Sequence, residues 1–214
     1  MKNYTPVLEP DKYYHVFNHA VSNDNLFKNK NNYLFFLKKY AQYITPIADT
    51  FAYCLMPNHF HFAIRIKDEK EIETAMRTLP KFANKDLTGF ENLSGLYTQF
   101  VSQQFSNLFN SYTKSFNKQQ NRQGSLFRRP FKRLLIDSND YFREIIHYIH
   151  FNPVHHGFVE DLREWEYSSF ESFFSEKATL LKREEVVDWF DNKDNFYAFH
   201  HKEIDKKMSF ELEL

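Results

Sequence analysis

Residues 50–66 read TFAYCLMPNHFHFAIRI, two apolar runs joined by Pro57-Asn58. The second run alternates, and because strand side chains point to opposite faces in turn, the stretch predicts a hairpin. In its second arm Phe60, Phe62, Ile64 and Ile66 fall on one face, and His59, His61, Ala63 and Arg65 on the other. A sheet built on this strand therefore has one apolar side for helices and one side carrying two imidazoles. Imidazoles at i and i+2 project in parallel and can each give a nitrogen to one divalent ion. Such a pair also suits ordinary hydrogen-bonded strand residues, so the ligand reading needs further donors elsewhere in the chain.

The flanking segments fix the context. YYHVFNHA (13–20) reads as a strand by its alternation and its aromatic and β-branched content. Asn29 or Asn31 can cap a following helix, NNYLFFLKKYAQYI, on which Leu34, Leu37, Ala41 and Ile44 recur at helical spacing, with Pro46 closing it. After the hairpin comes a helical region with a break around Thr88 to Gly95. Its second half, from about Tyr97 to Lys118, carries Val101, Phe105, Leu108, Phe109, Tyr112 and Phe116 on one stripe. FKRLLI (131–136) reads as a fourth strand and SNDYFREIIHYIHF (138–151) as a helix capped by Ser138 or Asn139, followed by a turn at NPVHHG. The order β-α-β-β-α-β plus a further helix predicts an α+β, ferredoxin-like antiparallel sheet with helices on one face and the opposite face left free for a site. Residues 12–160 are expected to form the main domain and 161–214 a helical appendage packed on it.

The last helix supplies donors for the histidine pair. Phe142, Ile145, Ile146 and Ile149 make its buried stripe, Tyr141, Tyr148 and Asn152 follow one flank, and His147 and His150 lie on the other. Tyr148 and Asn152 stand one turn apart, roughly 6 Å along the axis, whereas Tyr141 is about 16 Å from Asn152. An amide oxygen can thus complete a two-histidine site with a phenol beside it. Asn152 precedes Pro153, which disfavours helical backbone there.

Aromatics make up 19% and hydrophobics 42% of the 214 residues, which excludes a disordered chain. With a single cysteine, no signal-peptide-like stretch in MKNYTPVLEPDKYYHV and no apolar run of membrane-spanning length, a cytoplasmic protein without a membrane partner is expected. The formal net charge is zero, yet no Asp or Glu occurs from Asn92 to Ile136, where Lys114, Lys118, Arg122, Arg128, Arg129, Lys132 and Arg133 lie. This asymmetry allows a local basic surface with Phe127 and Phe131 set among its charges. There is no P-loop or dinucleotide fingerprint, and four glycines leave little scope for one.

The segments YYHVFN, AYCLMPNHFHF, GSLFRRPFKRLLI, YIHFNPVHHGFV and WEYSSF, in this order, resemble the REP-associated tyrosine transposases, single-tyrosine members of the His-hydrophobic-His (HUH) endonucleases. The resemblance covers roughly Tyr13 to Phe170; one departure is Asn18-His19-Ala20 where the family commonly has Asn-Arg-Gly. It implies that His59, His61 and Asn152 hold Mg²⁺ or Mn²⁺, that Tyr148 is the nucleophile, and that single-stranded or hairpin DNA is cleaved and rejoined through a 5′-phosphotyrosine. The seven basic residues are expected to contact that DNA, by a monomer or homodimer, nucleoid-associated when bound. Two other readings stay open: a DNA-binding protein of the same fold that does not cut, and a Zn²⁺ hydrolase, against which stands the lack of a Glu suitably placed near His59.

Overall fold

The computed structural model describes residues 5–80 and 93–202. Within them run β1 (Tyr13–His19), α1 (Lys30–Tyr43), β2 (Ala48–Met56), β3 (His59–Ile66), α2 (Glu69–Arg77), α3 (Leu93–Gln120), β4 (Lys132–Ile136), α4 (Asn139–His155), α5 (Arg183–Trp189) and α6 (Lys193–His200). The strands form one antiparallel sheet in the order β2-β3-β1-β4, the split β-α-β order predicted for this α+β chain. Of the expected break at Thr88 to Gly95, residues 88–92 lie outside the described residues, as do 203–214 of the tail, while Gly95 is within α3. Among the described residues no helix is long and apolar enough to cross a membrane.

The first face of the sheet is the side foreseen for helices. Phe60, Phe62, Ile64 and Ile66 are buried there with Phe36, Tyr40, Ile44, Val101, Phe105, Leu108 and Tyr112 of α1 and its neighbour α3. The Asn29 side chain caps α1 by accepting from the Asn32 amide. The buried stripe of α1 differs from the expectation: Tyr33, Phe36, Tyr40 and Ile44 point inward while Leu34 is 52% exposed. Both sets satisfy a 3.6-residue period, and the sheet selects the aromatic one, with Tyr40 stacked on Phe62 at 4.2 Å and its hydroxyl 2.9 Å from Thr50 Oγ1.

The second face is not free, which corrects the expectation of helices on one side only. Once paired into the sheet, Phe17, Cys54, Met56 and Ala63 form an apolar surface among the histidines, and α4 covers it with Phe142, Ile145, Ile146 and Ile149, all fully buried. Burying the two apolar faces against each other removes both from water. Leu162, Phe170, Phe173, Val186, Phe190 and Phe196 from the C-terminal segment complete the same cluster. Phe142 sits edge-on to Phe51 and Tyr13 and 3.9 Å from the Trp189 ring. Phe142→Ala is expected to lower the unfolding free energy by about 3–5 kcal/mol, read from urea denaturation.

The end of α4 also departs from the sequence reading. Asn152 and Pro153 are helical, and the turn begins only after His155. Pro153 lies in the last turn, where its missing N–H removes a single backbone bond. The helix is closed by Phe158 N–H donating to Pro153 O at 2.9 Å and Gly157 N–H to Val154 O at 2.9 Å, with Gly157 at φ +68°.

Residues 165–169 run along the outer edge of β2. Leu55 N–H donates to Tyr167 O (3.0 Å), Ser169 N–H to Tyr53 O (2.9 Å), and the Trp165 indole to Leu55 O (3.0 Å). Tyr167 stacks on Tyr33 of α1 with centroids 3.6 Å apart. On the far flank of α4, His200 Nδ1–H donates to Phe196 O (2.7 Å), which leaves its Nε2 to accept from His150 Nδ1–H (2.9 Å). His150 Nε2 in turn accepts from Ser169 Oγ (2.8 Å), and that oxygen accepts from Tyr53 N–H (2.9 Å). Neutral imidazoles alone satisfy this chain.

Candidate active site

His59 and His61 of β3, Tyr148 and Asn152 of α4, and His15 and His19 of β1 meet between the second face of the sheet and α4. The β1–β3 register pairs His19 with His59, Phe17 with His61 and His15 with Ala63, so all six side chains share that face. His15 and His19 are additions to the residues singled out from the sequence. Their signal was available: with Phe17 they occupy alternate positions of YYHVFNHA, in phase with His59 and His61.

Distances tie the group together. His59 Nε2 lies 2.8 Å from Asn152 Oδ1, and Asn152 Nδ2 lies 3.5 Å from His61 Nε2. His59 Nδ1 is 2.8 Å from Asn58 Oδ1, and His61 Nδ1 is 2.9 Å from His15 Nε2. Burial pushes His59 down to about 3 and, with neighbouring histidines adding to it, holds His61 well below its ordinary value. Both rings are therefore neutral at pH 7 and present lone pairs. With the amides so oriented, both ring nitrogens of His59 face an amide oxygen, although a neutral ring has one N–H. Once Asn58 takes that hydrogen, the Nε2 lone pair opposes the Asn152 oxygen, a juxtaposition that a shared cation makes favourable.

The 2.8 Å between His59 Nε2 and Asn152 Oδ1 is close to the about 3 Å that separates adjacent ligands of an octahedral cation bound at about 2.1 Å. Among the described residues no group of three His, Cys, Asp or Glu could hold a metal. Tyr148 stands one turn before Asn152, its ring edge-on to His61 (centroids 5.4 Å) and His15 (6.0 Å). It is 1% exposed. His19 stacks on His59 at 4.8 Å, and burial together with Arg128, Lys132 and His156 pushes it down to about 4.

The basic residues divide between the two sheet faces. Lys132 pairs with Phe17 across β1–β4, which puts it in the row of His61 on the site face. Arg128, Arg129 and Arg133 line a cleft of about 820 Å³ with Asn18, Asn110, Thr113, Phe109 and Phe131, between α3 and the segment leading to β4. Arg128 is anchored by its Nε–H to Ala20 O (3.2 Å), and Arg133 lies over the Phe131 ring at 4.7 Å. Phe127 is buried in the core, while Phe131 is only partly so. Lys114 and Lys118 are exposed on α3. Arg122 is paired with Asp24 (3.1 Å) and donates to Asn117 Oδ1 and Ser125 O, closing the loop after α3.

No protein-family model matches the chain. A protein of Haemophilus influenzae named as a REP-associated tyrosine transposase is 30% identical over 124 residues, 57% of this chain and 58% of that protein. The chain thus spans less than two thirds of the curated relative it matches. A solved structure of a REP-associated tyrosine transposase bound to a REP hairpin has the same fold, with a TM-score of 0.56 at 14% identity, covering 82% of this chain and 87% of the other.

Proposed function

A relative of the REP-associated tyrosine transposases in sequence and in fold, this chain is, we propose, a metal-dependent enzyme that cleaves and rejoins single-stranded DNA at hairpin-containing sequences, with Tyr148 as nucleophile. The observation that carries the reading is the convergence of His59, His61 and Asn152 one helical turn from Tyr148. Residues 12–160 carry the activity in this reading.

His59, His61 and Asn152 would hold a divalent ion, Mg²⁺ or Mn²⁺, which would supply Lewis-acid polarisation of the scissile phosphate. Tyr148 Oη attacks phosphorus and the bond to the 3′ oxygen breaks; the phenol loses its proton and the departing oxygen gains one. The products are a 5′-phosphotyrosine and a free 3′-hydroxyl. Attack by a 3′-hydroxyl reverses the step, so rejoining needs no external energy. Because the Tyr148 side chain is buried, DNA has to uncover it before attack. The cleft lined by Arg128, Arg129 and Arg133 meets Asn18, next in sequence to His19, which gives the strand a path from α3 round the end of β1 to Lys132 and His59.

Incubation with hairpin oligonucleotides drawn from DNA flanking the gene, in Mg²⁺ or Mn²⁺, is expected to give a DNA adduct that survives a denaturing gel. The burial of Tyr148 favours a second reading, a hairpin-binding protein that does not cut, which predicts retarded complexes but no adduct. Arg129→Ala is expected to weaken binding to all sequences alike and to reduce the salt slope, −d log K/d log[salt], by about 0.7–0.9, read from titrations across salt concentrations.

A further inference from the structure

We propose that His15 is a positioning residue for the His59–His61–Asn152 site: by accepting the Nδ1–H of His61 it holds that ring in the tautomer whose Nε2 lone pair faces the Asn152 amide. The proposal rests on the metal-site reading above. His15 Nε2 lies 2.9 Å from His61 Nδ1, and both side chains are buried, at 0% and 1% exposed. Asn152 directs its Nδ2 donor at His61 Nε2, which requires a lone pair there and places the ring hydrogen on Nδ1, opposite His15. A neutral His15 that accepts through Nε2 carries its own hydrogen on Nδ1, and this buried atom has no hydrogen-bond partner.

A buried N–H without an acceptor is a standing cost that Leu or Phe at position 15 would avoid. The other nitrogen gives the reason for a histidine. Packing holds the geometry: the His15 ring is stacked between Phe17 (4.8 Å) and His61 (5.1 Å), and its β3 partner Ala63 is small enough to let it lean toward His61. Second-layer acceptors of this kind fix a ligating histidine's tautomer and orientation, and their loss weakens metal binding by about 10–100-fold.

The first test is the tautomer itself, read from long-range ¹H–¹⁵N spectra of imidazoles in the metal-free wild type. His61 protonated on Nδ1 and bare on Nε2 is expected, and the opposite tautomer overturns the proposal. The second is Mn²⁺ titration by calorimetry. His15→Leu is expected to bind Mn²⁺ about 10–100-fold more weakly, and His15→Gln, whose amide oxygen can accept the same hydrogen, to stay close to wild type. A wild type that takes up no Mn²⁺ overturns the metal reading and the proposal with it, whereas Mn²⁺ bound equally by wild type and His15→Leu overturns the proposal alone. Should His15→Leu not fold, the wild-type tautomer decides.

Discussion

Tyr148→Phe is expected to remove the covalent DNA adduct altogether, a loss on the order of 10⁴-fold or more by analogy with deletion of other covalent nucleophiles. The substitution deletes one oxygen and keeps the ring that packs edge-on against His15 and His61. Folding and hairpin affinity should therefore stay close to wild type, which separates chemistry from binding in one variant. The measurement is a time course of adduct formation on denaturing gels, in Mn²⁺, beside a retardation assay on the same oligonucleotide. An adduct that persists in Tyr148→Phe means that another side chain attacks. His59→Ala tests the other half of the site, and its adduct should be lost while retardation persists.

Mild acid is expected to unfold the protein. Burial pushes His147 down to about 4 and His200 to about 3, and it holds His150 well below the ordinary value. The unfolded chain binds protons at these positions near pH 6.5 while the folded chain does not. Their stabilisation is thus fully present above pH 6.5 and is lost as pH falls. At pH 5 His147 and His200 each cost about 2 kcal/mol, together roughly 4 kcal/mol against a typical stability of 5–15 kcal/mol, and His150 acts in the same direction. His15 and His59, each pushed to about 3, act in the same direction. Urea denaturation at pH 7.5, 6 and 5 should show a midpoint that falls steeply below pH 6.5, with a shallower fall in His147→Phe. A midpoint independent of pH over that range contradicts the neutral-imidazole account of this core.

Local periodicity made the frame of the molecule legible. The alternation of HFHFAIRI placed its phenylalanines and histidines on opposite faces, and helical spacing put Tyr148 and Asn152 on the flank that meets them. These are one-dimensional signals with a single geometric solution. Choices between equivalent stripes were not legible, because the neighbour that decides is far along the chain: Tyr33 rather than Leu34 faces inward on account of the sheet and Tyr167. The covering of the second face depended on the same kind of information, since the apolar surface beneath α4 exists only when β1, β2 and β3 are side by side. His15 was passed over because in YYHVFNHA it reads as one polar residue of a strand; its meaning comes from the diagonal contact to His61.

The run from Trp165 to Ser169 has a consequence for how two copies of this chain can assemble. Its bonds to Tyr53 and Leu55 occupy the outward-facing amides and carbonyls of β2, the groups through which a foreign strand would add. A dimer that continued the sheet from one protomer into the next would have to grow from β4, the strand beside the arginine-lined cleft.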